Sequence, residues 1–144
     1  ILADPRASDI KDIVNKSIKY RENFRPFAPA IIDSLVDEYF ITNSEKNYFF
    51  MEKTKKFKRN VIKKVKGVVH DDNTGRIQTV SKKSNSNFYN LLKSFHKKTG
   101  IPILLNTSFN LNGEPIVDSP EDAIRTFYSC GLDYLVLGSY IISK

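Results

Sequence analysis

The sequence predicts an α/β protein in which helices pack over a mixed β-sheet. Three observations carry that prediction. Phe88, Leu91, Leu92 and Phe95 recur at i, i+3, i+4 and i+7, an amphipathic helix stopped by Gly100 and Pro102. Residues 101–105 form a continuous apolar run between turn residues, the mark of a buried strand. Ser119-Pro120-Glu121-Asp122 then starts a second helix, with a cap, a proline in the first turn and an acid at the third position. At 144 residues the chain is long enough for one domain, which buries roughly 68% of its unfolded surface without disulfide or metal.

The remaining elements follow in order. Ser8 is placed to cap a helix carrying Ile10, Ile13, Val14 and Ile18 at a 3.6-residue period. That helix ends near Lys19, because Phe24-Arg25-Pro26-Phe27-Ala28-Pro29 is biased to extended backbone. Residues 29–32 read as strand and 35–40 as one or two helical turns. Residues 48–57 are ambiguous, with strand favoured. Residues 65–70 read as a strand entering the polar turn Asp71-Asp72-Asn73-Thr74-Gly75, and 76–80 as a strand leaving it, the two forming a long-looped hairpin. Asn112-Gly113 and Pro115 make a turn. The second helix carries Ala123, Ile124, Phe127 and Tyr128 on one face, up to Gly131, and residues 135–142 close the chain as strand broken at Gly138. There is no internal repeat and no low-complexity linker.

Composition excludes several classes. One cysteine, Cys130, rules out a disulfide framework and a cysteine-built zinc site, and fits a reducing cytoplasm, the expected location. No apolar run approaches 18 residues, so no membrane span is expected. The first residues, Ile1-Leu2-Ala3-Asp4-Pro5-Arg6, have no methionine and no signal layout, which reads as a piece of a longer protein. The net charge of +7 invites a nucleic-acid reading. Yet eight of the 23 basic residues crowd into positions 53–66, and the other fifteen nearly balance the 16 acids. Such a run reads first as a solvated face. Phe57 is the one aromatic among those cations to offer base stacking, which argues against nucleic acid; docking on an acidic surface is the third option.

Four polar stretches are not explained by the core pattern. In Lys19-Tyr20-Arg21-Glu22-Asn23-Phe24-Arg25, extended backbone puts Lys19 and Arg21 on one side with Arg25 close by. Three converging cations repel unless an anion sits among them; the equal alternative is a basic helix end complementing the helix dipole. Asn106-Thr107-Ser108-Phe109-Asn110 follows the buried strand, where α/β sheets hold ligands, and Ser108 and Asn110 share a face. A plain hydrogen-bonded turn is the competing and, alone, favoured reading. His70-Asp71-Asp72-Asn73-Thr74-Gly75-Arg76 offers two carboxylates to Mg²⁺ but reads rather as a loop. Asn112-Gly113-Glu114-Pro115 is structural, His96 belongs on the outer side of its helix, and Cys130 is a small apolar residue near a helix end. Two histidines and one cysteine compose neither a triad nor a transition-metal cluster.

Taken together the stretches resemble one family. Ile1-Leu2-Ala3-Asp4-Pro5-Arg6 and Ile18-Lys19-Tyr20-Arg21-Glu22-Asn23-Phe24-Arg25-Pro26-Phe27-Ala28-Pro29 are similar to the C-terminal region of the NodU/CmcH-type O-carbamoyltransferases. So are Thr74-Gly75-Arg76-Ile77-Gln78-Thr79-Val80, Pro102-Ile103-Leu104-Leu105-Asn106-Thr107-Ser108-Phe109-Asn110 and Gly113-Glu114-Pro115-Ile116-Val117. Five blocks in one order span the chain. One loop departs: the family's H-V-D-G-T-A-R is here His70-Asp71-Asp72-Asn73-Thr74-Gly75-Arg76, with an added acid and a lost glycine, although Arg76 is in place.

The resemblance implies a YrdC-like fold, a twisted mixed sheet with helices over it, in one domain of residues 1–144. It implies binding of ATP, with Mg²⁺ arriving on the nucleotide, and of carbamoyl phosphate, to make carbamoyl-adenylate and release pyrophosphate. An upstream actin-like domain, holding the family's metal site, would pass the carbamoyl group to a hydroxyl acceptor. The KxR and SxN signatures of that fold match Lys19/Arg21 and Ser108/Asn110. Lys19 and Arg21 are thereby expected to be catalytic, with Arg25, Arg76, Asn106, Thr107, Ser108 and Asn110 binding substrate and nucleotide, and no metal ligand in this chain. The alternatives are a basic RNA-binding module and a non-catalytic docking domain.

Overall fold

The computed structural model describes every residue except Asn23, Ser44 and Lys46, so Asn23 of the basic stretch lies outside it. Along the chain run β1 (Leu2–Ala3), α1 (Ile10–Val14), a π-helical turn (Asn15–Lys19), β2 (Ala28–Ile32), α2 (Val36–Tyr39), β3 (Thr54–Lys56), β4 (Thr74–Arg76) and β5 (Gln78–Val80). Then come α3 (Ser86–Thr99), β6 (Ile103–Asn106), α4 (Pro120–Tyr128), β7 (Tyr134–Leu137) and β8 (Tyr140–Ser143). The fold is mixed α/β, as predicted. The residues gather into two compact units, one of Ile1–Ile10 with Pro26–Thr107, the other of Lys11–Arg25 with Ser108–Lys144.

The first unit is built on a four-stranded sheet of order β1-β6-β2-β5. It is mixed: β2 runs antiparallel to β6, with Ala30 opposite Leu104, and parallel to β5, with Ala30 opposite Gln78. Pro29 is tolerated in this central strand because it lies one residue before the β5 ladder begins. All five β2 residues are buried, as a strand covered on both faces requires. Ala30, Ile32, Val80, Leu92 and Leu104 form one cluster, with Phe88, Tyr89 and Phe95 of α3 packed on it. The Asn85 side chain caps α3 by accepting from Phe88 N–H at 3.0 Å, and Gly100 ends it at φ 76°. Leu91, expected on the packed face, is 48% exposed.

The expected hairpin is absent. Residues 65–70 are not a strand; Ile62–Lys64 and Lys66–Val68 are 3₁₀ turns. Gly67 explains this: its N–H donates to Pro5 O at 2.9 Å, and a Cβ there would sit 2.2 Å from Ile10 Cγ2. That approach draws the segment out of any ladder. The expected strand at 76–80 divides at Ile77, β4 pairing with β3 and β5 with β2. Of residues 48–57 only β3 is strand. Residues 71–73 turn into β4, and Asp72 Oδ1 accepts from Thr74 N–H at 3.0 Å and Thr74 Oγ1 at 2.7 Å.

The second unit joins two distant segments. In α4, Ser119 Oγ accepts from Asp122 N–H at 3.1 Å, the predicted cap. Ala123 and Phe127 pack with Leu135, flanked by Phe109, Val117, Leu132, Leu137 and Ile142. Ile124 and Tyr128, expected on the same face, are exposed. The closing strand is a hairpin, β7 against β8, turning at Gly138 with φ 60°. In the other segment the helix widens after Val14 into the π turn, which buries Asn15, Ile18 and Lys19 while Ile13 is 44% exposed. Gly131 N–H donates to Ser17 O at 2.8 Å; a Cβ on Gly131 would lie 2.9 Å from Ser17 Cβ, so only glycine allows this approach.

Candidate functional site

The π turn ends in a chain reversal that aims the cations. Tyr20 follows it at φ 47°, ψ 50°, the left-handed region a non-glycine residue enters at a cost of about 1 kcal/mol. The expectation of extended backbone at Lys19-Tyr20-Arg21 is therefore corrected. Convergence of the side chains is achieved instead by the left-handed residue between them.

Lys19 is only 4% exposed. Its Nζ donates to Ser108 O at 2.8 Å, Ser108 Oγ at 3.2 Å, Asn110 O at 2.9 Å and Asn110 Oδ1 at 2.7 Å. Three ammonium protons thus serve four oxygens, all from the 108–110 loop. Ser108 Oγ in turn donates to Asn110 Oδ1 at 2.6 Å, and Asn110 Nδ2 donates to Glu114 O at 2.8 Å. Burial pushes the Lys19 pKa down to about 8 from 10.5, with the Arg21 and Arg25 charges adding to the effect and Cys130 opposing it.

Arg21 is half-buried. Its Nε donates to Asn15 Oδ1 at 2.8 Å and its N–H to Asn15 O at 3.1 Å. Arg25 is exposed, 3.9 Å from the Glu22 carboxylate. Lys19, Arg21, Arg25, Ser108, Asn110 and the 111–113 turn line a polar cleft of about 230 Å³. That is below the roughly 300–1,000 Å³ that holds a whole drug-sized ligand. It suits a phosphate-sized group, with the rest of a larger ligand outside.

Five of the predicted site residues therefore meet in the second unit. Arg76, Asn106 and Thr107 lie in the first. Arg76 is exposed on β4. Asn106 ends β6 and its Nδ2 donates to Gln78 Oε1 at 2.8 Å. Thr107 N–H donates to Ile1 O at 3.0 Å. Sequence reasoning missed Asn15, whose place inside a helical run gives no local signal, and Asn112-Gly113, read as structural alone. His70 Nδ1 lies 3.0 Å from Thr74 Oγ1 within its turn. Among the described residues no group of three or more His, Cys, Asp or Glu is placed to hold a metal ion. No helix among them is long and apolar enough to cross a membrane.

A family model described as "Carbamoyltransferase C-terminus" matches residues 1–144. Nodulation protein NolNO of Sinorhizobium fredii is 46% identical over 148 residues, 100% of this chain and 21% of that protein. Nodulation protein NolO of Bradyrhizobium diazoefficiens is 43% identical over 148 residues, 100% of this chain and 26% of its own length. An uncharacterized protein of Methanocaldococcus jannaschii is 46% identical over 134 residues, 93% of this chain and 26% of that one. The chain thus spans about a quarter of the length of these relatives.

Proposed function

The chain belongs to the carbamoyltransferase C-terminus family, and from that premise we propose that it is the part of an O-carbamoyltransferase that binds ATP and carbamoyl phosphate and forms carbamoyl-adenylate. Transfer of the carbamoyl group to a hydroxyl acceptor then belongs to an upstream domain of the longer protein. The observation that carries the reading is the Lys19 ammonium held on Ser108 and Asn110, with Arg21 and Arg25 on the same 230 Å³ cleft.

Joining two polyanions requires that their repulsion be cancelled. Arg21 and Arg25 supply paired guanidinium donors, each charge-assisted bond to a phosphate oxygen contributing roughly 1.5–3 kcal/mol. Lys19 keeps a positive charge beneath the 108–110 loop and fixes that loop's shape, so its contribution is preorganised before substrate arrives. Asn110 and Ser108 add neutral polar contacts. Arg76 is proposed as a further phosphate or carbamoyl clamp, and Asn106 and Thr107 are proposed to bind substrate or nucleotide. Mg²⁺ enters as part of the ATP substrate, because the cleft is lined by donors and amides rather than carboxylates. Among the described residues, the Lys19 ammonium and the Ser108 hydroxyl are engaged in hydrogen bonds, which supports a rate derived from positioning and charge neutralisation rather than covalent catalysis.

The test is pyrophosphate release by the purified chain given Mg-ATP and carbamoyl phosphate. Release should need both substrates, and Arg21→Ala should lower it about thirtyfold, roughly 2 kcal/mol. Release that continues without carbamoyl phosphate, or is unchanged in Arg21→Ala, sinks the assignment.

A further inference from the structure

Among the described residues of the second unit, Asn15 is the fully buried amide, 0% exposed, in a π turn whose other inward residues are Ile18 and Lys19. A buried amide left without partners is costly, so its bonds indicate what it is there to hold. Its Oδ1 accepts from Arg21 Nε at 2.8 Å, and its main-chain oxygen accepts from Arg21 N–H at 3.1 Å and from Tyr20 N–H. Its Nδ2 donates to Arg25 O at 3.4 Å. One residue therefore grips Arg21 at both ends and the backbone of Arg25 as well.

We propose that Asn15 is a positioning residue of the anion cleft, which aims the Arg21 guanidinium without itself neutralising its charge. This rests on the anion-binding reading given above. The chemistry favours an amide over its relatives. A carboxylate at position 15 would make the same bond to Nε but would neutralise the cation that the anion must meet. A serine is too short to reach Nε. A neutral acceptor of asparagine's length fixes the donor without cancelling it.

The probe is inorganic pyrophosphate, metal-free, titrated calorimetrically into the native chain, Arg21→Ala, Asn15→Ser and the double variant. Arg21→Ala is expected to weaken binding about tenfold and Asn15→Ser about fivefold, with the double variant no weaker than Arg21→Ala alone. That non-additivity marks action through Arg21; a merely structural asparagine would weaken binding again in the Arg21→Ala background. Additive losses, or native affinity in Asn15→Ser, overturn the inference while the anion site stands. Failure of the native chain to bind, or indifference to Arg21→Ala, overturns the anion site and the inference with it. If Asn15→Ser does not fold, side-chain NMR of the native chain decides: the Arg21 Nε proton should be protected from exchange, and a freely exchanging proton overturns the assignment.

Discussion

Two groups of cations in this molecule are held in opposite ways. Between positions 53 and 66 the anchors are apolar: Phe57, Val61 and Val65 are buried, and Lys56, Lys58, Arg59, Lys63, Lys64 and Lys66 stand out into water. Lys53 and Lys55 meet the Glu45 carboxylate, at 2.5 and 3.5 Å. Between positions 19 and 25 the anchors are polar and the lead cation is inside, surrounded by oxygens of a loop 89 and 91 residues away. The first group has the greater charge, and the second is the one proposed to meet the anion. A charge pair at 4 Å is worth about 1 kcal/mol in bulk water and about 4 kcal/mol at the effective dielectric near a protein surface. Fixing a cation out of water, against acceptors that leave it positive, is what converts charge into chemistry.

The comparison breaks most visibly at Lys19. Lys19→Ala removes both a buried charge and the post on which Ser108 and Asn110 rest, so pyrophosphate release should fall about a hundredfold, roughly 3 kcal/mol. A loss no larger than that of Arg21→Ala would reduce Lys19 to a simple point charge.

Acidity sharpens the contrast next. The folded pKa of Lys19 is about 8 and its ordinary value 10.5. Between those values the unfolded chain binds the extra proton, so this residue makes the fold more stable as pH rises from 8 toward 10.5. Over the same range the cleft loses its ammonium. Pyrophosphate affinity should therefore decline with a midpoint near pH 8 while the melting temperature gains from this group. Titrations of binding and of stability across pH 7 to 10 check both directions, and a parallel fall of the two would contradict the placement of Lys19.

The smallest effect belongs to the basic run. Replacing Lys56, Lys58, Lys63 and Lys64 by glutamine should change pyrophosphate release less than about twofold and stability by about 0.5 kcal/mol or less per site. Salt-dependent tRNA binding that survives Lys19→Ala and vanishes in this quadruple variant would instead favour an RNA-binding role.

What the sequence discloses depends on how local the cause is. α3 and α4 are legible because Phe88, Leu92 and Phe95, or Ser119 and Asp122, are determined within a turn or two. Lys19, Arg21, Ser108 and Asn110 are legible because no core pattern accounts for them. The π turn is not, since Asn15 is buried by a widening of the helix that the 3.6 period misplaces, leaving Ile13 outward. Gly131, which alone permits the approach to Ser17, lies 114 residues downstream of it. Residues 65–70 mislead for the same reason: valines suggest a strand, while the backbone contact of Gly67 with Pro5 decides otherwise.

The second unit's composition from two remote segments also sets a clock. Lys19 leaves the ribosome 91 residues before Asn110. At about 5–20 residues per second, its ammonium waits roughly 5–18 s in solvent for the oxygens that will enclose it. The sheet strands β2 and β5 emerge within that interval, and the cleft is among the last parts of the chain able to form. A nascent chain stalled short of residue 110 already carries all three cations of the cleft, yet it lacks the loop oxygens that enclose Lys19.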